Sequence, residues 1–118
     1  MQAQWQRSLL RMTPQDGETP ASESSPPAPV LTRSVVIPNK RGLHARAAAK
    51  FVMMAERFGA SVDVIREGQS VPARSIMGLM MLGAGMGAVI ELRAEGWDAK
   101  EALDALAALV ESGFDEQG

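Results

Sequence analysis

The chain contains no cysteine and a single histidine among its 118 residues. Without thiols there can be no disulfide and no thiolate metal site. One imidazole excludes a zinc site built on several histidines, so neither a metal nor a cofactor is expected. Aromatic side chains are scarce, at 4% against a hydrophobic fraction of 46%. The core must therefore be aliphatic, drawn from Ala, Val, Leu, Ile and an unusual eight Met. A formal charge of −2 and a pI near 5.4 provide no basic face for nucleic acid. No apolar run approaches the roughly 20 residues of a membrane-spanning helix. The opening "MQAQWQRSLLRM" lacks a contiguous apolar stretch and a small-residue cleavage site, so no signal peptide is expected and the cytoplasm is the expected location. A chain of this length has room for one modest core, hence one domain.

Composition changes near residue 30. The stretch "TPQDGETPASESSPPAP" is rich in Pro, Ser and acids and cannot bury enough apolar surface to offset chain entropy. Residues 1–30 are expected to be a disordered N-terminal extension, and residues 31–118 the folded domain. Within the extension, Trp5, Leu9 and Met12 recur at i, i+4 and i+7, with Arg7 and Arg11 elsewhere on the wheel. That pattern suits a short amphipathic helix for a partner or membrane surface, the alternative being a frayed tail.

From Leu31 the pattern is regular. "LTRSVVIP" is β-branched and alternating, which predicts a strand. "ARAAAKFVMMAERF" places Ala48, Phe51, Val52 and Ala55 on one helical face, with Gly59 as the expected stop. "SVDVIREGQSVPA" reads as a hairpin turning at Glu67-Gly68, with Val62 and Val64 facing one side. "SIMGLMML" predicts a short helix capped by Ser75. "GAVIELRAEG" predicts a strand with Ile90 and Leu92 inward. "DAKEALDALAALVES" predicts a helix with an Asp98–Glu101 capping box and an apolar stripe through Ala99, Ala102, Leu103, Leu106 and Val110. Gly113 closes it. The order β-α-β-β-α-β-α, without long crossovers, implies an α+β, two-layer open-faced sandwich. Four antiparallel strands would carry three helices on one face and leave the other face to solvent.

The sole histidine, His44, falls at the N-cap of the first helix. Gly42 lets the chain turn sharply ahead of it, and Leu43 can plug the core beneath. Beyond His44 the backbone N–H groups of Ala45, Arg46 and Ala47 have no intrahelical acceptor. A helix N-terminus receives anions, and the Arg46 guanidinium lies in its first turn. The helix dipole, worth roughly 0.3–2 kcal/mol, disfavours the imidazolium and keeps the ring neutral and nucleophilic. An imidazole thus stands beside donors suited to a phosphoryl group, although an isolated His at a helix start is often merely a cap.

The stretch "GLHARAAAKFV" resembles the active-site signature of the HPr family, the histidine phosphocarriers of the bacterial phosphotransferase system, typically Gly-Leu-His-x-Arg-Pro-Ala. The likeness runs from about Thr32 to Glu116 and includes the element order and the Ser-initiated short helix. The Met-rich helix and terminal "SGFDE" are more similar to the nitrogen-related (NPr) branch. The resemblance implies that His44 accepts phosphate at Nδ1 from enzyme I, charged by phosphoenolpyruvate, and passes it to a IIA-type protein. It implies that Arg46 neutralises the phosphoryl charge. It also implies that Ser75 is a regulatory position for an HPr kinase where a bacterium has one, and that Ile76, Met77 and Met80 form the docking patch. Met suits a surface that must fit several partners, whereas Leu79 and Leu82 are expected in the core. One residue departs from the signature: Ala47 replaces the family's proline, loosening the turn and adding a donor.

Three function classes remain in view on sequence. The leading one is a monomeric phosphocarrier, a covalent intermediate rather than an enzyme. The second is a regulatory adaptor acting by binding and controlled at Ser75. The third is a small module binding an anion at the helix terminus.

Overall fold

The computed structural model describes residues 30–116, so the expected disordered extension lies outside the described residues except for Val30. The elements are β1 (Val30–Val36), α1 (Ala45–Ala55), β2 (Ser61–Arg66), β3 (Gln69–Pro72), α2 (Ile76–Met81), β4 (Val89–Glu95) and α3 (Ala99–Glu111). The strands form one antiparallel sheet in the order β1-β4-β2-β3. This is the expected open-faced sandwich, with the helices on one face of the sheet.

Period-two patterning decides which strand face is buried. Val62, Val64, Ile90, Leu92 and Ala94 point to the helices and are buried. Val36 and Val89 sit directly opposite each other on β1 and β4 and remain about half exposed. The core has almost no aromatic content beyond Phe51 and Phe114, both fully buried. All five residues of the predicted α3 stripe are buried, and Ala107 and Leu109 join them.

Turn chemistry fixes the hairpin. Glu67 and Gly68 both take positive φ, 51° and 81°, between the paired Arg66 and Gln69. That is the type I′ geometry whose twist matches the flanking strands.

Two expectations fail, each for its own reason. α1 ends at Ala55 rather than running on to Gly59, because Arg57 and Phe58 donate to the i−3 carbonyls of Met54 and Ala55 and tighten the chain. The Asp98–Glu101 capping box does not form, since Asp98 makes no side-chain bond to its own helix. The Asp98 carboxylate, 6% exposed, instead accepts from the N–H groups of Gly59 and Ala60 at 2.9 and 2.8 Å. The carboxylate satisfies these two loop donors ahead of β2, one of them buried, in place of the first-turn amides of its own helix.

α3 ends as Gly113 predicts. Gly113 donates to Val110 and Phe114 to Leu109, both at 2.9 Å, the paired bonds of a Schellman stop. No helix among the described residues is long and apolar enough to cross a membrane.

Candidate functional site

The site begins where β1 releases the chain. Ile37 exchanges backbone hydrogen bonds with Ala88 and Gly87, pinning the start of the loop to the approach to β4. The chain then turns back between Asn39 and Gly42, whose N–H donates to the Asn39 carbonyl at 3.1 Å. Gly42 has φ 65°, and a Cβ there would meet the Ala84 carbonyl oxygen at 2.4 Å and Gly85 Cα at 2.7 Å. Both facts require glycine. Leu43 follows, buried, with its N–H bonded to Ala84. The next residue has nowhere to go but the mouth of α1.

His44 is the N-cap of α1, with extended backbone, and its Nδ1 accepts from the Arg46 N–H at 3.3 Å. Its carbonyl accepts the first intrahelical bond, from Ala48 at 2.8 Å. The amide that reaches the ring is thus that of Arg46, not Ala47, whose residue is fully buried. The amides of Ala45 and Ala47 lie in the same first turn. The Arg46 side chain is exposed and makes no ion pair with any described residue.

The other ring nitrogen is held as well. His44 Nε2 is hydrogen-bonded to Glu116 Oε2, and the two side chains are only 16% and 15% exposed. Asn39 completes the cluster, donating from Nδ2 to Glu116 Oε1 at 2.9 Å and to the Gly42 carbonyl at 3.0 Å. Donating to two oxygens sets the amide's orientation. The hydrogen bonds from His44 and then Asn39 hold the Glu116 carboxyl below its ordinary value of 4.5, with the charge of Arg41 adding to them against partial burial. A carboxylate on Nε2 and an N–H donor on Nδ1 assign the ring as the Nε2–H tautomer, its Nδ1 lone pair facing the helix end.

Ser75 caps α2, its Oγ accepting from the Gly78 N–H at 2.9 Å. Ile76, Met77 and Met80 are exposed, as is Met81, while Leu79 and Leu82 are buried as expected. Helix α2 packs on α1, so this exposed apolar group shares a flank with the histidine's helix. Among the described residues no three His, Asp or Glu side chains converge to hold a metal ion.

Glu116 and Asn39 had no signal in the sequence as partners of His44. They lie 72 and 5 positions from it, and no local spacing links a carboxylate past the last helix to an imidazole before the first. The Gly-Phe-Asp stretch after α3 hinted only that the chain turns there.

An open-faced β-α-β-β-α-β-α sandwich with an imidazole at the mouth of its first helix is the architecture of the histidine phosphocarriers. The chain belongs to that class: residues 31–112 match the family described as "PTS HPr component phosphorylation site". It is 48% identical to the phosphocarrier protein HPr of Cupriavidus necator over 87 residues, 74% of this chain and 98% of that protein. It is equally similar, at 48% over 86 residues, to the phosphocarrier protein NPr of Shewanella violacea, covering 73% of this chain and 94% of the relative. The NPr relative supports the likeness to the nitrogen-related branch. Among solved structures, an HPr from Thermoanaerobacter tengcongensis superposes with a TM-score of 0.71 at 45% identity, over 75% of this chain and 99% of that one. The protein is a phosphocarrier of the phosphotransferase system.

Proposed function

We propose that His44 carries the phosphoryl group, at Nδ1, between a phosphorylated enzyme I and a IIA-type protein. One observation supports this above the others: the chain's sole imidazole has Nδ1 at a helix N-terminus and Nε2 on a carboxylate. The Nδ1 lone pair forms the new N–P bond while the N–P bond on the donor breaks, its electron pair returning to the donor ring. The proton on Nε2 stays where it is. The Arg46 N–H then turns from the lone pair to a phosphoryl oxygen, and the neighbouring amides of Ala45 and Ala47 face the same charge. The Arg46 guanidinium, free of other partners among the described residues, closes over the remaining oxygens.

In this reading the protein is a carrier without a substrate of its own, acting as a cytoplasmic monomer. Enzyme I and the IIA-type acceptor dock on the exposed Ile76, Met77 and Met80. Ser75 at their edge is a regulatory position, open to an HPr kinase.

Incubation with phosphoenolpyruvate, magnesium and the matching enzyme I tests it. One acid-labile phosphoryl group should appear, and His44→Ala should abolish it. Arg46→Ala should slow transfer roughly 10- to 150-fold, the kinetic equivalent of about 1.5–3 kcal/mol of charge-assisted contact. Acid-stable phosphate, or label surviving in His44→Ala, would overturn the assignment.

A further inference from the structure

The chain beyond α3 does something a helix stop does not require. After Gly113, at φ 72°, Phe114 and Asp115 also lie in the left-handed region, at φ 60° and 58°. Glycine adopts that conformation freely and an aspartate tolerates it, but a phenylalanine there is strained. Three successive left-handed residues curl the chain back on itself, and Glu116 closes the curl by donating to the Gly113 carbonyl at 3.1 Å.

Independent contacts over-determine this hook. The Phe114 ring is fully buried in the core. Lys50, on α1, donates from Nζ to the Phe114 carbonyl at 2.8 Å. Ser112 Oγ donates to Leu109 and accepts from the Asp115 N–H at 3.2 Å. A phenylalanine could be buried and a helix terminated without a left-handed Asp115. What the strained backbone delivers is the Glu116 carboxylate, onto His44 Nε2 and Asn39 Nδ2. Strain of this kind persists where surrounding structure enforces it, and it gathers at functional sites.

We propose that the hook 113–116 is a positioning device for the phosphoryl acceptor, with Glu116 as the residue that acts through His44. The inference rests on His44 being that acceptor. Glu116 holds the proton on Nε2, which keeps the lone pair on Nδ1 and the ring plane aimed at the first turn of α1. When Nδ1 bonds to phosphorus the ring becomes cationic with its Nε2–H in place, and Glu116 lies against that new charge. No proton has to leave during transfer. The hydrogen bond present before the reaction strengthens as the ring charges, and only that strengthening accelerates the step.

With one histidine in the chain, the ring nitrogens give an unambiguous 15N signal, so the full-length protein can be tested directly. At a pH where the imidazole is neutral, the native protein should show Nε2 protonated and Nδ1 unprotonated. Glu116→Ala should move both shifts toward the tautomer mixture of a free imidazole and slow phosphoryl acceptance about tenfold. Glu116→Gln, whose single amide oxygen can accept from Nε2–H only by giving up the bond from Asn39, should bring the ring shifts part of the way back but not the full rate, because the charge is gone. Unchanged ring shifts in Glu116→Ala would overturn the proposal whatever the rate. So would changed shifts with an unchanged rate. If the native protein itself takes no label, the assignment of His44 fails first, and the two failures are told apart by that control.

Discussion

Asn39 and Glu116, 77 positions apart in the chain, are joined by a 2.9 Å hydrogen bond that ties the loop before α1 to the chain after α3. The same amide group also donates to the Gly42 carbonyl. Asn39→Ala removes both bonds at once. The expected loss is about 1–3 kcal/mol of unfolding free energy, measurable by urea denaturation. The Asn39→Asp variant should be worse than Asn39→Ala near neutral pH, because it sets a second carboxylate against Glu116. Equal stability of the native protein and Asn39→Ala would mean that the amide bonds only what water would bond as well.

Ser75 separates capping from docking. Ser75→Ala should cost about 1 kcal/mol by stripping the acceptor from the Gly78 N–H. Ser75→Asp keeps an acceptor at the cap, so its stability should stay within about 0.5 kcal/mol of the native value. Transfer from enzyme I should nevertheless slow in Ser75→Asp, since the new charge adjoins exposed Ile76 and Met77. Native kinetics in that variant would argue against partners docking there.

Acid should unfold the domain partly through two carboxylates. Glu116 is held below its ordinary 4.5 by His44 and Asn39, and Asp104 below 3.8 by its hydrogen bonds to Lys100 and Arg33. A carboxylate whose folded value is depressed contributes stability above its unfolded value and loses it as pH falls through the folded one. The melting temperature should therefore fall as pH drops below about 4.5, continuing through the range of Asp104. Glu116→Gln should flatten the upper part of that decline and Asp104→Asn the lower part. Parallel curves for all three proteins would contradict the assignment.

The extension should be dispensable for folding. β1 begins at Val30, paired with Glu95, so removal of residues 1–29 leaves the ladder whole. The melting temperature should change by less than about 4 °C, the shift expected from under 1 kcal/mol in a domain of this size. A larger fall would show that Trp5, Leu9 or Met12 packs on the domain.

The architecture was legible because its signals are local. β-branched alternation marks β1 and β4, Glu67-Gly68 marks the hairpin, and Gly113 marks the end of α3. His44 was legible as a cap because Gly42 and the alanine run bracket it. What stayed hidden depends on pairs brought together by folding. Asp98 satisfies every local rule for a capping box, yet it turns to the N–H groups of Gly59 and Ala60, which folding brings beside it. Glu116 looks like any acid near a chain end, and only the hook through Phe114 and Asp115 carries it to His44. Propensity reads neighbours along the chain, and these contacts are neighbours in space.

The direction of β1 has a practical consequence. Residues 1–29 join the sheet at Val30, beside Glu95, whereas the strand's other end feeds the loop that carries His44. A seven-residue strand separates the two by roughly 20 Å, at about 3.4 Å per residue. A bead, a dye or a fused protein attached ahead of Val30 would ride at the far pole. Fixed to a sensor chip by that end, the domain would turn its imidazole outward, and capture of enzyme I could be read without the support in the way.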